Sequence, residues 1–117
     1  MNINFLPNAD KAQVGHEKII KYLLSESHPD GRAKAVFFIK SGFTVKQWDV
    51  LAESLRKHGI IYPVVKTVKS EYGVRYCIEG PIETPNGSNP NIRTVWIVEE
   101  GCTKPRLITA YPVRRKE

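Results

Sequence analysis

The chain has 117 residues, 41% hydrophobic and 26% charged, a composition that fits one globular domain with a modest core and excludes a polar disordered tract. No apolar run approaches the roughly 20 residues that span a bilayer, and residues 1–7 have neither the basic start nor the apolar core of a secretion signal, so neither an anchor nor a leader is expected. Eighteen Lys and Arg against 12 Asp and Glu leave a formal net charge of +6 and a pI near 9.4, an excess that suits an anionic partner, either nucleic acid or an acidic protein.

Residues 1–13 read as an extended lead-in with a turn at Pro7-Asn8-Ala9-Asp10. Ile19, Ile20, Leu23 and Leu24 recur at helical spacing and predict a first helix over residues 16–24. The breakers in 25–31 stop it and start another. Pro29 suits a first helical position, where its missing N–H would be unpaired anyway, with His28 just before it. Ala33, Ala35 and Val36-Phe37-Phe38-Ile39, interrupted by Lys34, predict a centrally buried second helix ended by Gly42. Thr44 and Gln47 have the spacing of a capping box. They open a third helix with Val45, Trp48, Leu51, Ala52 and Leu55 on its buried face. Lys57-His58-Gly59 would close it, with His58 as a cation at the negative helix end.

Beyond Gly59 the apolar period drops to two. Strands are predicted over 61–68, 74–79, 93–98 and 107–113. A turn at Glu71-Tyr72-Gly73 joins the first two, and a breaker-rich loop over 80–90, with room for a short strand at Ile82, joins the middle two. Residues 114–117 are a solvated basic tail. Helices first and closely linked strands afterwards predict a single α+β domain over 1–117. About three N-terminal helices would pack on one face of an antiparallel sheet of about four strands.

No metal-ligand spacing, phosphate-cradling glycine loop or serine elbow is present, so no metal or cofactor is expected. Cys77 and Cys102 make neither a disulfide framework nor a zinc motif, which suits a reduced, cytoplasmic site of action. The candidates for chemistry are His28, Lys34, Arg93, Thr109 and Tyr111. Alternation along the last strand places Leu107, Thr109, Tyr111 and Val113 on one face, and Arg106, Ile108, Ala110 and Pro112 on the other. A hairpin would bring Arg93 near Tyr111, although a shared face depends on a register that the sequence leaves open.

Such a set suits metal-free cleavage of a phosphodiester by attack of the ribose 2′-hydroxyl, leaving a 2′,3′-cyclic phosphate. A His can carry the proton, an Arg or Lys can hold the charge of the phosphorane, and Thr and Tyr can position the phosphate or pass a proton. DNA lacks the 2′-hydroxyl, so the substrate class is RNA, its phosphates held by Lys34, Arg32, Arg75 and Arg106. Each residue also has an ordinary reading: His28 as a helix cap, Lys34 with a buried stem and solvated head, Arg93 paired with Glu79 or Glu83. Thr109 is a normal strand residue, and Tyr111 suits a core aromatic with its hydroxyl at the rim. The competing class of function is a non-catalytic module that binds nucleic acid or acts as an immunity or antitoxin protein.

Several motifs together carry a resemblance: Leu6-Pro7-Asn8-Ala9, His28-Pro29-Asp30-Gly31-Arg32-Ala33-Lys34-Ala35-Val36-Phe37-Phe38, Tyr72-Gly73-Val74-Arg75-Tyr76, Glu79-Gly80-Pro81-Ile82-Glu83-Thr84-Pro85, Arg93-Thr94-Val95-Trp96-Ile97 and Pro105-Arg106-Leu107-Ile108-Thr109-Ala110-Tyr111-Pro112. From Leu6 to Pro112 the chain resembles a bacterial and phage-associated family filed as a domain of unknown function. That family in turn looks like a member of the barnase–EndoU–colicin–RelE ribonuclease fold group, used by toxin–antitoxin modules and polymorphic toxins. The resemblance implies helices before a four-stranded sheet and a metal-independent ribonuclease toxin. It also implies roles for His28, Lys34, Arg93, Thr109 and Tyr111, and an acidic antitoxin or immunity protein as partner.

Overall fold

The structure is a computed structural model that describes residues 4–28 and 32–113. Pro29, with its expected place at the helix start, and the basic tail lie outside the described residues. The element order is a 3-10 turn (Ala9–Lys11), α1 (His16–Lys18) running into a π-helical turn (Ile19–Leu23), α2 (Arg32–Lys40), α3 (Trp48–Ile61), β1 (Val64–Ser70), β2 (Gly73–Pro81), β3 (Asn91–Glu99) and β4 (Arg106–Pro112). The strands form one antiparallel meander in the order β1-β2-β3-β4. The α+β architecture expected from the sequence is the one observed.

α3 follows from its spacing. Leu51, Ala52, Leu55, His58 and Gly59 are buried, which is one stripe of a 3.6-residue period. The stripe lies on the sheet face that carries Ile78, Thr94 and Trp96, all fully buried. Gly59 does not end this helix. A Cβ there would sit 2.7 Å from Trp96 Cζ2, so glycine lets the helix approach the indole. The helix continues to Ile61 and stops where Tyr62 turns extended, at φ −104° and ψ 147°, because the residue before Pro63 is pushed out of the helical region. It begins at Trp48, after the Thr44 hydroxyl has accepted the Gln47 N–H at 3.1 Å, so Val45 precedes it and is exposed.

His58 is no solvated helix-end cation. It is 1% exposed. Trp96 Nε1–H donates to Thr94 Oγ1 at 2.9 Å, Thr94 donates to His58 Nδ1 at 3.0 Å, and His58 Nε2–H donates to the Gly80 carbonyl at 3.0 Å. Gly80 O can only accept, which assigns the tautomer. Burial pushes the His58 pKa down, with the Gly80 and Ile92 carbonyls opposing. The ring is a neutral, fully used strut between α3 and the sheet.

Central burial of α2, expected from its apolar run, is not found. Ala35 and Phe38 are buried, whereas Val36 is 47% exposed and Ile39 37%. The reason is position: α2 packs on the π-turn and on β4, an edge strand, so only one side of it finds a core. Its end is as expected. Gly42 has φ 105°, its N–H donates to Ile39 O at 2.9 Å, and Phe43 N–H donates to Phe38 O at 3.2 Å. Phe43 then packs on Phe38, the hydrophobic contact that accompanies this left-handed glycine stop. The lead-in is also more structured than expected. Gln13 pairs with β4 through bonds of 2.9 Å to Pro105 O and 3.0 Å from Leu107 N.

Candidate functional site

Register decides which side chains meet. Ile78, Thr94 and Ala110 are partners across β2, β3 and β4, and all three are fully buried on the α3 side. The neighbouring row, Glu79–Arg93–Tyr111, therefore faces the opposite side of the sheet. The next row on that far face is Cys77–Val95–Thr109, and beyond it Arg75–Ile97–Arg106. Simple alternation along β4 fails, because the register shifts between Val95 and Trp96. Ile108 is the extra residue of this bulge. It puts Leu107 against Trp96 in the core and turns Arg106 to the far face with Thr109. A bulge re-aims side chains in this way.

Within the first row, Arg93 Nε donates to Glu79 Oε2 at 2.7 Å and Nη2 donates to the same oxygen. The pair is part-buried, with about 30% of each side chain exposed. Glu79 first, and the Tyr111 phenol after it, hold the guanidinium in its charged form against the cost of burial and raise its pKa. The cross-strand pairing of Arg93 with Glu79, given above as the ordinary reading of that residue, is present. It leaves the guanidinium's other N–H groups and Tyr111 on the same row.

The second half of the site comes from the α1–α2 arm. Leu24 N–H reaches back to Ile19 O at 2.8 Å, an i to i+5 bond that marks the π-turn. Such turns widen the helix and often sit at functional sites. Tyr22 lies in it. Lys34 Nζ, on α2, donates to the Tyr22 hydroxyl and lies 4.7 Å from the centre of that ring and 5.9 Å from the centre of Tyr111. The His28 ring meets Tyr22 edge-on, centroids 5.0 Å apart. Lys34 above all, with help from Thr109 and Lys18, lowers the Tyr22 pKa despite partial burial. Thr109 Oγ1 is buried and has no partner of good hydrogen-bond geometry, although it lies close enough to the phenol oxygen to stabilise a phenolate. An unpaired buried hydroxyl calls for an explanation.

The structure thus joins His28, Lys34, Arg93, Thr109 and Tyr111 into one string, through Tyr22, which the sequence reading passed over. Tyr22 sits among the apolar residues of the first helix, and only the fold carries it to Lys34. Arg75 and Arg106 share the far face two rows away, where Arg106 pairs with Glu99 at 3.0 Å. Lys66, opposite Cys77 on β1, adds an exposed cation to that face. Arg32 is exposed at the start of α2, where its backbone N–H donates to the His28 carbonyl at 3.0 Å. Among the described residues no three His, Cys, Asp or Glu side chains gather into a metal-binding group, and no helix is long and apolar enough to cross a membrane.

Residues 5–114 match the family described as Domain of unknown function (DUF6883). No curated protein matches the sequence. Among solved structures, a chain of a contact-dependent growth inhibition toxin–immunity protein complex from Klebsiella pneumoniae 342 is similar, with a TM-score of 0.68 and 20% identity over 92% of this chain and 97% of that chain. At that identity the likeness is one of fold.

Proposed function

This chain belongs to the DUF6883 family, whose function is unassigned, and from its site we propose that it is the toxin of a toxin–immunity or toxin–antitoxin pair: a metal-independent endoribonuclease that leaves a 2′,3′-cyclic phosphate. The observation that carries the reading is the Lys34–Tyr22 contact with the unpartnered Thr109 hydroxyl behind it. His28 accepts the proton of the attacking 2′-hydroxyl, the role an imidazole fills near neutral pH. Arg93 and Lys34 hold the negative charge that grows on the phosphoryl oxygens. Tyr22 gives its proton to the departing 5′-oxygen. Lys34 already donates to the phenol oxygen, so the phenol's own proton is free to leave. Thr109 donates to the phenolate as it forms, which makes it a positioning residue. Tyr111 orients the phosphate beside Arg93.

The toxin setting is supported by the resemblance to the barnase–EndoU–colicin–RelE ribonuclease group and by the shared fold with a chain of a toxin–immunity complex. A net charge of +6 and the far-face cations favour an RNA-binding toxin over its immunity protein. RNA is met in the cytoplasm of the affected bacterium. The partner is an acidic antitoxin or immunity protein that covers the far face, since complementary charge speeds association.

The test is brief expression of the chain without its partner, with RNA sequenced for new cyclic-phosphate ends. Wild type should arrest growth and create such ends. Tyr22→Phe, folded by circular dichroism, should lose roughly a hundredfold or more of the cleavage rate. Arrest without RNA cleavage would remove the ribonuclease assignment, and a harmless wild type would leave the interaction-module reading in its place.

A further inference from the structure

Beyond the Glu79–Arg93–Tyr111 row, the far face continues into a cleft of about 400 Å³ lined by Pro81, Asn89, Asn91 and Val113. We infer that this cleft is the subsite for one nucleobase of the RNA, flanking the bond that is cut, and that Asn91 reads its edge; the inference rests on the ribonuclease reading of the neighbouring row.

Geometry ties the cleft to the site. Pro81, Asn91 and Val113 lie two residues beyond Glu79, Arg93 and Tyr111 on their strands, so they occupy the same face. Pro81 and Asn91 are cross-strand partners, and Val113 N–H donates to Asn91 O at 3.1 Å, which extends the pairing past β4. The two rows are roughly 7 Å apart, so a phosphate held by Arg93 would place an adjoining nucleoside over the cleft. The volume lies within the roughly 300–1,000 Å³ of small-molecule sites.

The chemistry fits a base. Pro81 and Val113 supply apolar walls for its faces. Asn91 is half-buried, and its side-chain amide has no hydrogen-bond partner among the described residues. An amide places one donor beside one acceptor, which matches base edges that offer the same pair. Asn89 is fixed in the left-handed region, at φ 45°. Its Oδ1 accepts the Thr84 N–H at 3.0 Å, leaving its amide N–H groups available at the rim. A strand residue with an idle amide at the mouth of a cleft has no structural task that a Thr or Val would not do better.

The experiment has two arms. In the first, purified protein digests a random-sequence RNA pool and the ends are sequenced. Wild type should show a base bias at one position beside the cut. Asn91→Ala should flatten it by roughly tenfold, the scale of one bidentate base contact, and Asn91→Asp, offering only acceptors, should shift it toward guanine with its adjacent N1–H and N2–H donors. In the second arm, amide resonances of uniformly labelled protein are followed while each of the four nucleoside 3′-monophosphates is added, with inorganic phosphate as the control without a base. The nucleotides should move Asn91 and Val113, and phosphate should not. RNA cleaved with a bias that neither variant changes, and no base-dependent shift, overturns the subsite and leaves the ribonuclease intact. RNA left uncut while nucleotides move Asn91 overturns the ribonuclease and leaves the subsite. Uncut RNA with no nucleotide response overturns both.

Discussion

Tyr22 and Thr109 can be told apart by what each loses on substitution. Lys34 holds the Tyr22 pKa below its ordinary value of 10.0. If the phenol is the acid, activity falls on the alkaline side as pH rises through that lowered pKa. Lys34→Met removes the largest cause of the shift, so the alkaline limb of the pH–rate profile should move to higher pH while the overall rate drops; a limb that stays in place would remove Tyr22 from the proton path. Thr109→Val acts more weakly on the same limb and in the opposite sense on the fold. Its hydroxyl is buried without a partner, a situation that costs roughly 1–3 kcal/mol. The near-isosteric valine should raise stability by about 1 kcal/mol, read as a melting temperature higher by about 4 °C, and lower the cleavage rate. A variant that is both less stable and equally active would mean that Thr109 only packs.

At the scale of elements, α3 and the sheet are locked by His58, and that lock has a pH signature. Burial lowers the His58 pKa from 6.5, so the unfolded chain binds a proton here more readily than the folded one. The contribution is fully present above about pH 6.5 and is lost as pH falls from there toward the folded value. Urea unfolding of wild type should show a stability that declines over this range, and His58→Gln, which can still hydrogen-bond but does not titrate, should show a flatter profile at a lower overall stability. An unchanged slope would mean that His58 is not the source of the sensitivity. The core of α3 was legible because Leu51, Ala52 and Leu55 repeat at one helical period, but its end was read at Gly59, whereas the helix runs on to Ile61 and is limited by Pro63. The burial of His58 was not, since a histidine beside a glycine near a helix end reads as a C-terminal cap until the Trp96 contact at Gly59 is seen. The π-turn at Ile19–Leu23 has no sequence mark. The β4 bulge adds one residue without changing composition, so alternation placed Leu107 and Thr109 on one face when pairing separates them. Arg93, Thr109 and Tyr111 were found by residue type, while their meeting with Tyr22 and Lys34 depends on register and docking that periodicity does not encode.

At the scale of the whole molecule, the +6 charge is not spread evenly with respect to function. Lys66, Arg75, Arg93 and Arg106 all share the far face, in rows that continue away from the Tyr22–Lys34 cluster. Glu79 and Glu99 neutralise two of them locally, whereas Arg75 makes no ion pair among the described residues. An unpaired cation on the track of a single strand releases counterions when it meets a phosphate. Each such contact adds about 0.7 to the steepness with which log K falls against log salt. Arg75→Gln, two rows from the chemistry, should therefore weaken binding of labelled single-stranded RNA uniformly across sequences and reduce that slope by about 0.7, measured by fluorescence anisotropy in a Tyr22→Phe background so that the RNA survives. Arg106→Gln should change the slope less, because Glu99 already compensates it and would be left facing the strand. Equal slopes for wild type and Arg75→Gln would mean that the RNA does not run along β2 and β3, and would confine the binding surface to the cluster at the β4 edge.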